Sequence, residues 1–201
     1  MKPAKRIGLF GGSFDPVHNA HVALARLALD RMQLDELRWI PAGRPWQKKD
    51  REITPASQRE AMVALAIQGE PRFKLERCEL ERSGPSYMLD TVRDLQAAES
   101  GAQWFLIVGQ DQYASLHTWH GWQELLRLVR LAVANRPGAH SPVNAELARV
   151  PHVEVALPMM DVSSTELRQR IAAGQGVDDL VPAAVARYID QHHLYSGPPG
   201  S

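Results

Sequence analysis

The chain has 201 residues, of which 44% are hydrophobic, which is enough for one substantial core and a single α/β domain. Lysine plus arginine and aspartate plus glutamate both number 23, so the formal net charge is zero. This balance implies no broad basic surface of the kind that binds nucleic acids or anionic membranes, so we expect any phosphate recognition to be local.

A single cysteine excludes a disulfide framework and is compatible with a reducing compartment. Residues 1–6 are basic, but glycines interrupt the apolar run that follows before it could form a signal-peptide core. The sequence contains no apolar segment long enough to cross a bilayer. We therefore expect a soluble, cytoplasmic protein.

The stretch I-G-L-F-G-G-S-F-D-P-V-H-N-A-H-V, residues 7–22, predicts a strand at 7–10, a tight turn at Gly11 and Gly12, and a helix opening near His18. A helix N-terminus after such a turn offers unpaired N–H groups and partial positive charge to a phosphate. His18 and His21 are three residues apart and share a helix face, so both can donate to one polyanion. Zinc binding is the less favoured alternative, because the remaining histidines and cysteine lack metal-ligand spacing. The P-loop and G-x-G-x-x-G patterns are both absent.

The following segments alternate between helix and strand. Helical periodicity continues to about residue 33, and Thr54-Pro55 predicts a second helix that runs to about residue 68. Another helix is expected to open near Ser86. The remaining strands are predicted at 37–41, 73–80, 103–108, 131–135 and 153–157, with a basic loop at 42–51. Six alternations indicate a Rossmann-like, doubly wound, mainly parallel sheet with helices on both faces, whose ligands bind beyond the carboxyl ends of the strands. We expect one domain, residues 1–195, followed by a flexible tail at 196–201.

Near the end of the chain, M-D-V-S-S-T-E-L-R-Q-R-I (residues 160–171) contains a capping box formed by Ser163 and Glu166. By itself this pattern indicates only a good helix start. The consecutive hydroxyls of residues 163–165, with Arg168 one turn later, would also suit a phosphate.

These two motifs together resemble the signature of the nucleotidyltransferase superfamily, in which a G-x-F-D-P turn precedes H-x-G-H and a later I-S-S-T-x-I-R completes the ATP site. Ala20 departs from the pattern by replacing a glycine. The resemblance implies an ATP site built from Gly11, Gly12, Ser13, Phe14, His18, His21, Asp111, Ser163, Ser164, Thr165 and Arg168.

The middle of the chain is similar to one branch, the bacterial nicotinate-mononucleotide adenylyltransferases, through P-S-Y-M-L-D-T (85–91), G-Q-D (109–111) and T-W-H-G-W (118–122). An indole face suits an electron-poor pyridine ring, and the resemblance makes Trp119 the stacking residue. Trp122 is expected to be a core residue. The loop R-P-W-Q-K matches the family's P-P-H-K with Gln47 in place of histidine, and it makes Lys48 a phosphate contact. The implied nicotinate-mononucleotide site comprises Ser13, Tyr87, Met88, Asp90, Thr91, Asp111, Trp119 and His120.

The implied reaction is adenylyl transfer from ATP to nicotinate mononucleotide, which yields nicotinate adenine dinucleotide and pyrophosphate. The attacking 5′-phosphate is already ionised, so direct in-line attack needs neither a catalytic base nor a covalent intermediate. The residues assigned to catalysis are His18, His21, Lys48 and Arg168, with Mg²⁺ carried by ATP and no resident metal. Another acceptor, nicotinamide mononucleotide or phosphopantetheine, and a non-catalytic ATP sensor remain open, as does a monomer or a homo-oligomer. Neither nucleic acid nor membrane is an expected partner.

Overall fold

A computed structural model describes residues 3–44, 53–135, 143–156, 160 and 162–196. The described strands form one six-stranded sheet in the order β3-β2-β1-β4-β5-β6, and all five neighbouring pairs are parallel. The strands are β1 (Arg6–Gly12), β2 (Glu36–Pro41), β3 (Phe73–Leu75), β4 (Gln103–Gly109), β5 (Arg130–Asn135) and β6 (His152–Ala156). This confirms the predicted Rossmann-like sheet. The strand order reverses between β1 and β4, so a crevice opens beyond their carboxyl ends.

Helices cover both faces of the sheet, as predicted. They are α1 (Asn19–Arg31), α2 (Ala56–Ile67), α3 (Cys78–Glu81), α4 (Met88–Ala98), α5 (Gln110–Ser115), α6 (Trp122–Leu128), α7 (Ser164–Ala172) and α8 (Ala183–Gln191). Alternation along β1 directs Ile7 and Leu9 into the core shared with α4 and α6, and Phe10 into the core shared with α1, α2 and α8. The central strand is therefore buried on both sides.

Two local predictions were wrong. Gly11 and Gly12 belong to β1, and the turn follows at Asp15 and Pro16. An added Cβ at Gly11 would lie 2.5 Å from Cε of Met88, the flexible end of that side chain, so Met88 would have to move to make room for it. The segment predicted as a strand over 73–80 is a strand only over Phe73–Leu75, and α3 follows it. This edge strand pairs only with β2. The ladder cannot continue because Pro41 of β2 has no N–H to donate.

Helix boundaries differ by one or two residues from those predicted. Pro55 is the N-cap of α2 where Thr54 was expected, α1 ends at Arg31, and α4 begins at Met88. The predicted loop at 42–51 and the tail fall mostly outside the described residues, as does residue 157. Among the described residues no helix is both long and apolar enough to cross a membrane.

Candidate functional site

A cavity of about 440 Å³ lies in the crevice beyond the carboxyl ends of β1 and β4. Its volume falls within the range of roughly 300–1,000 Å³ that is typical of small-molecule sites. Most of the sequence-predicted site residues line it: Gly11, Gly12, Ser13, Phe14, His18, His21, Met88, Asp111, Trp119, Ser163 and Ser164. The fold therefore brings together residues that are far apart in the sequence. Gly11 and Ser164, for example, are separated by 153 positions.

The turn after β1 is held by burial and by long-range hydrogen bonds. Phe14 has a positive φ of 48° and is 2% exposed, with its ring packed against Phe10 and Trp39. Asp15 is also buried, and the hydroxyl of Tyr195 donates to its Oδ1 at 2.8 Å. An aspartate at this position could either orient bound groups or hold the turn. The Tyr195 contact favours the second role.

His18 and His21 lie at the start of α1 with their rings stacked at 3.6 Å between centroids. The backbone N–H of His18 donates to Nδ1 of His21 at 3.2 Å. Because Nδ1 accepts this bond, the neutral imidazole of His21 carries its proton on Nε2, which makes Nε2 a hydrogen-bond donor. The half-buried ring of His21 lines the cavity, where this donor can serve an anion.

The second predicted motif lies directly against the first. Ser163 caps α7 by accepting from the backbone N–H of Glu166 at 3.2 Å, as the capping box predicted. Ser164 Oγ donates to the carbonyl oxygen of Pro16 at 3.0 Å, and Arg168 Nη1 donates to that of Asp15 at 2.6 Å. The two segments are therefore in direct contact, and both contribute residues to the cavity wall.

Arg168 and Thr165 do not line the cavity. Arg168 Nη2 donates to Thr165 Oγ1 at 3.1 Å, so one end of the guanidinium holds its own helix and the other holds the first turn. These contacts show Arg168 bracing the turn. A direct contact with ATP stays a prediction.

The residues predicted for the mononucleotide divide into two groups. Trp119, Met88, Ser13 and Asp111 line the cavity, whereas Tyr87, Asp90, Thr91 and His120 do not. The Tyr87 and His120 rings stack on each other at 4.5 Å, and Asp90 lies 3.7 Å from Arg93 Nη1. Trp122 is 9% exposed and belongs to the core, as predicted.

Thr91 is fully buried within a polar network behind the cavity wall. Its hydroxyl donates to Glu79 Oε1 at 2.8 Å and accepts from Arg82 Nη1 at 3.0 Å. Glu79 is 4% exposed and lines the cavity, and burial raises the pKa of its carboxyl. Ser86 extends the network, because its Oγ accepts from the backbone N–H groups of Gly43 and Arg44 at 3.1 and 3.2 Å.

Sequence reasoning did not single out Glu79 or Gln110, which line the cavity, nor the buried Arg59. For Arg59 the sequence does contain a signal, namely helical spacing. Arg59 precedes Met62, Val63 and Ile67 by three, four and eight residues, so it lies on the same buried face of α2. Glu79 had no comparable signal, because it lies within the alternating segment 73–80 that was predicted to be a strand. Lys48, Gln47 and Lys49 lie outside the described residues. Within the described ranges, no group of three or more His, Cys, Asp and Glu side chains is arranged to hold a metal ion.

Comparison with known proteins agrees with this geometry. The sequence matches the cytidylyltransferase-like family over residues 9–170. Two curated relatives carry the name probable nicotinate-nucleotide adenylyltransferase. The one from Methylibium petroleiphilum is 54% identical over 98% of this chain and 96% of its own, and the one from Albidiferax ferrireducens is 46% identical over 95% and 98%.

Solved structures show the same fold. A Plasmodium falciparum nicotinic acid mononucleotide adenylyltransferase complexed with NaAD superposes with a TM-score of 0.76 at 19% identity, over 95% of this chain and 97% of that one. The same protein complexed with APC gives a TM-score of 0.75 with equal identity and coverage. From the extent and identity of these matches, we conclude that the chain belongs to the nicotinate-nucleotide adenylyltransferase family of cytidylyltransferase-like nucleotidyltransferases.

Proposed function

We propose that this protein transfers the adenylyl group of ATP to nicotinate mononucleotide, forming nicotinate adenine dinucleotide and releasing pyrophosphate. The observation that carries the proposal is the closure of the two nucleotide motifs on one turn, through Ser164 on Pro16 and Arg168 on Asp15. This closure lies beside a cavity that also contains Trp119. The family membership and the names of the relatives support the same reaction.

The proposed ATP site follows the cavity wall from the end of β1 to the start of α7. Backbone groups of Gly11, Gly12, Ser13 and Phe14 receive the phosphates, with His18 and His21 as side-chain donors and Asp111 as a ribose acceptor. Ser163, Ser164 and Thr165 complete the site at the N-terminus of α7, where the helix dipole favours an anion. We retain Lys48 and Arg168 as the cationic contributors to catalysis.

For the mononucleotide, we propose that Trp119 stacks on the pyridine ring while Met88 and Ser13 line its approach. Tyr87, Asp90 and His120 contribute from the adjoining surface, and backbone N–H groups near Met88 and His120 hold the carboxylate. Thr91 supports Glu79 from behind the wall and acts through it, because its hydroxyl is already engaged on both sides.

The mechanism needs alignment and charge stabilisation more than proton transfer. The 5′-phosphate oxygen attacks the α-phosphorus of ATP, the bond to the bridging oxygen breaks, and pyrophosphate leaves with the electron pair. The donors at the start of α1 stabilise the charge that grows on the leaving group. ATP enters with Mg²⁺, which is bound by the phosphates and shields their charge. Because both substrates are water-soluble nucleotides, we propose a cytoplasmic location.

Pyrophosphate release separates the candidate acceptors. Purified protein with Mg²⁺-ATP is assayed against nicotinate mononucleotide, nicotinamide mononucleotide and phosphopantetheine at matched concentrations. We expect the nicotinate compound to give the highest kcat/KM. A preference for either other acceptor would reassign the substrate, and ATP binding without pyrophosphate release from any acceptor would indicate a sensor.

A further inference from the structure

Arg59 is a buried cation that joins three separate segments of the chain around the turn after β1. The residue lies on the first turn of α2 and is 1% exposed. Its Nη1 donates to the carbonyl oxygen of Ser13 at 2.9 Å and its Nε to that of Thr54 at 2.8 Å. Its Nη2 donates to the carbonyl oxygen of Gly43 at 3.4 Å. One planar group thus fixes the relative positions of three backbones.

These acceptors differ in their relation to the cavity. Ser13 lines it, and Gly43 is in turn held by Ser86, the serine of the P-S-Y motif. A peptide unit is planar and trans, so a carbonyl fixed on Arg59 also fixes the direction of the N–H of the next residue. For Ser13 that unit is the peptide to Phe14, and both of these residues line the cavity.

Burying a guanidinium is costly, and a core that needed only stability would gain as much from a well-packed apolar side chain. Burial lowers the pKa of Arg59, and the nearby Asp15 opposes that shift. Arg59 itself does not line the cavity. What it provides is a directional fork, which an apolar side chain or a lysine cannot reproduce.

We propose that Arg59 is a positioning residue that sets the Ser13 backbone for binding the ATP phosphates. The inference rests on the proposed function for its link to catalysis, but its effect on ATP binding can be measured without turnover. The informative variant is Arg59→Lys, which keeps the positive charge and cannot donate to three carbonyls in this arrangement.

Arg6→Lys is the matched control. Arg6 also donates to a backbone carbonyl, that of Met32, through Nε at 3.0 Å and Nη2 at 2.7 Å. It lies at the first residue of β1, whereas the cavity opens beyond the carboxyl end of that strand. Loss of its fork should lower stability without disturbing the site.

The experiment measures three quantities for each protein: the thermal unfolding midpoint, the Kd of ATP by calorimetry, and kcat and KM with nicotinate mononucleotide. We expect Arg59→Lys to raise the Kd and the KM of ATP about tenfold, as for loss of a hydrogen bond to a charged donor. Arg6→Lys should change them less than about twofold. If the lysine variant does not fold, Arg59→Gln is measured in its place.

Equal effects of the Arg59 and Arg6 variants on the Kd of ATP would overturn the proposal and leave Arg59 a structural residue. Failure of the proposed function gives a different result. In that case the unmodified protein binds ATP and releases no pyrophosphate with nicotinate mononucleotide, while the comparison of Kd values still decides the role of Arg59.

Discussion

His21 performs two separable tasks through its two ring nitrogens, and amide side chains can test them one at a time. Nδ1 accepts from the backbone N–H of His18, which leaves the proton on Nε2, and the residue lines the cavity of the proposed phosphate site. In His21→Asn, the amide oxygen reaches the Nδ1 position and keeps the cap but offers no donor at the Nε2 position. In His21→Gln, the amide nitrogen reaches the Nε2 position and the cap is lost.

The expected magnitudes follow from these contacts. Loss of a donor to a developing charge lowers turnover by about 100-fold to 1,000-fold, or roughly 2.7–4 kcal/mol. Loss of one cap hydrogen bond lowers the free energy of unfolding by about 0.5–2 kcal/mol. We therefore expect His21→Asn to keep near-normal stability with a kcat reduced about 100-fold or more. His21→Gln should be less stable by about 1 kcal/mol, with kcat within about tenfold of the unmodified protein.

Two measurements decide between these outcomes: urea unfolding for stability, and pyrophosphate release at saturating substrates for kcat. An asparagine variant with unchanged kcat would remove the Nε2 donor from the mechanism. If kcat instead tracked stability across both variants, His21 would act only as part of the helix cap.

Three further predictions concern other parts of the site. Because the pKa of Glu79 is raised in the folded protein, its contribution to stability is full below the unfolded value near 4.5 and is lost as the pH rises through the folded value. Glu79→Gln should therefore unfold at higher urea than the unmodified protein at pH 8, with the difference shrinking toward pH 5, and lower stability at pH 8 would contradict the assignment. Gly43→Ala would place a Cβ 2.1 Å from the Glu79 carbonyl oxygen, so it should lower the free energy of urea unfolding by about 1–3 kcal/mol. Gly69→Ala is the control and should be near neutral, because the nearest contact of its added Cβ is 3.8 Å away. Trp119→Ala should raise the KM of nicotinate mononucleotide about tenfold and leave that of ATP within about twofold, while Trp122→Phe, in the core, should lower the unfolding midpoint without changing either KM.

The sheet was predictable because its central strands are buried on both faces and therefore carry continuous apolar runs, most clearly in β4. The helix at Ser163 was predictable for a local reason, since its cap involves residues only three positions apart. The strand predicted over 73–80 was wrong because its extent depends on β2, a partner more than 30 residues away, and alternation along one strand does not report where the partner stops.

Site residues were predictable from the sequence where the signal is local, and they were missed where their role depends on contacts between distant segments. The cavity-lining histidines follow from a contiguous motif, and their positions in the fold agree with it. The Thr91–Glu79–Arg82 network could not be predicted from the sequence. A threonine in a helix gives no sign that its hydroxyl faces a buried carboxylate 12 positions earlier. Arg59 similarly reveals its three acceptors only in the folded chain.

A turn that binds polyphosphate must keep its own carbonyl oxygens away from the anion, because their partial negative charge would oppose binding. In this protein three carbonyls of the turn accept hydrogen bonds from distant elements: Ser13 from Arg59, Asp15 from Arg168 and Pro16 from Ser164. Each bond satisfies the oxygen and fixes its peptide plane, so the direction of the following amide is fixed as well. Two of the three donors are cationic and add positive potential behind the turn. The elements that supply them, α2 and α7, are therefore as much a part of the proposed phosphate site as the glycines that line it.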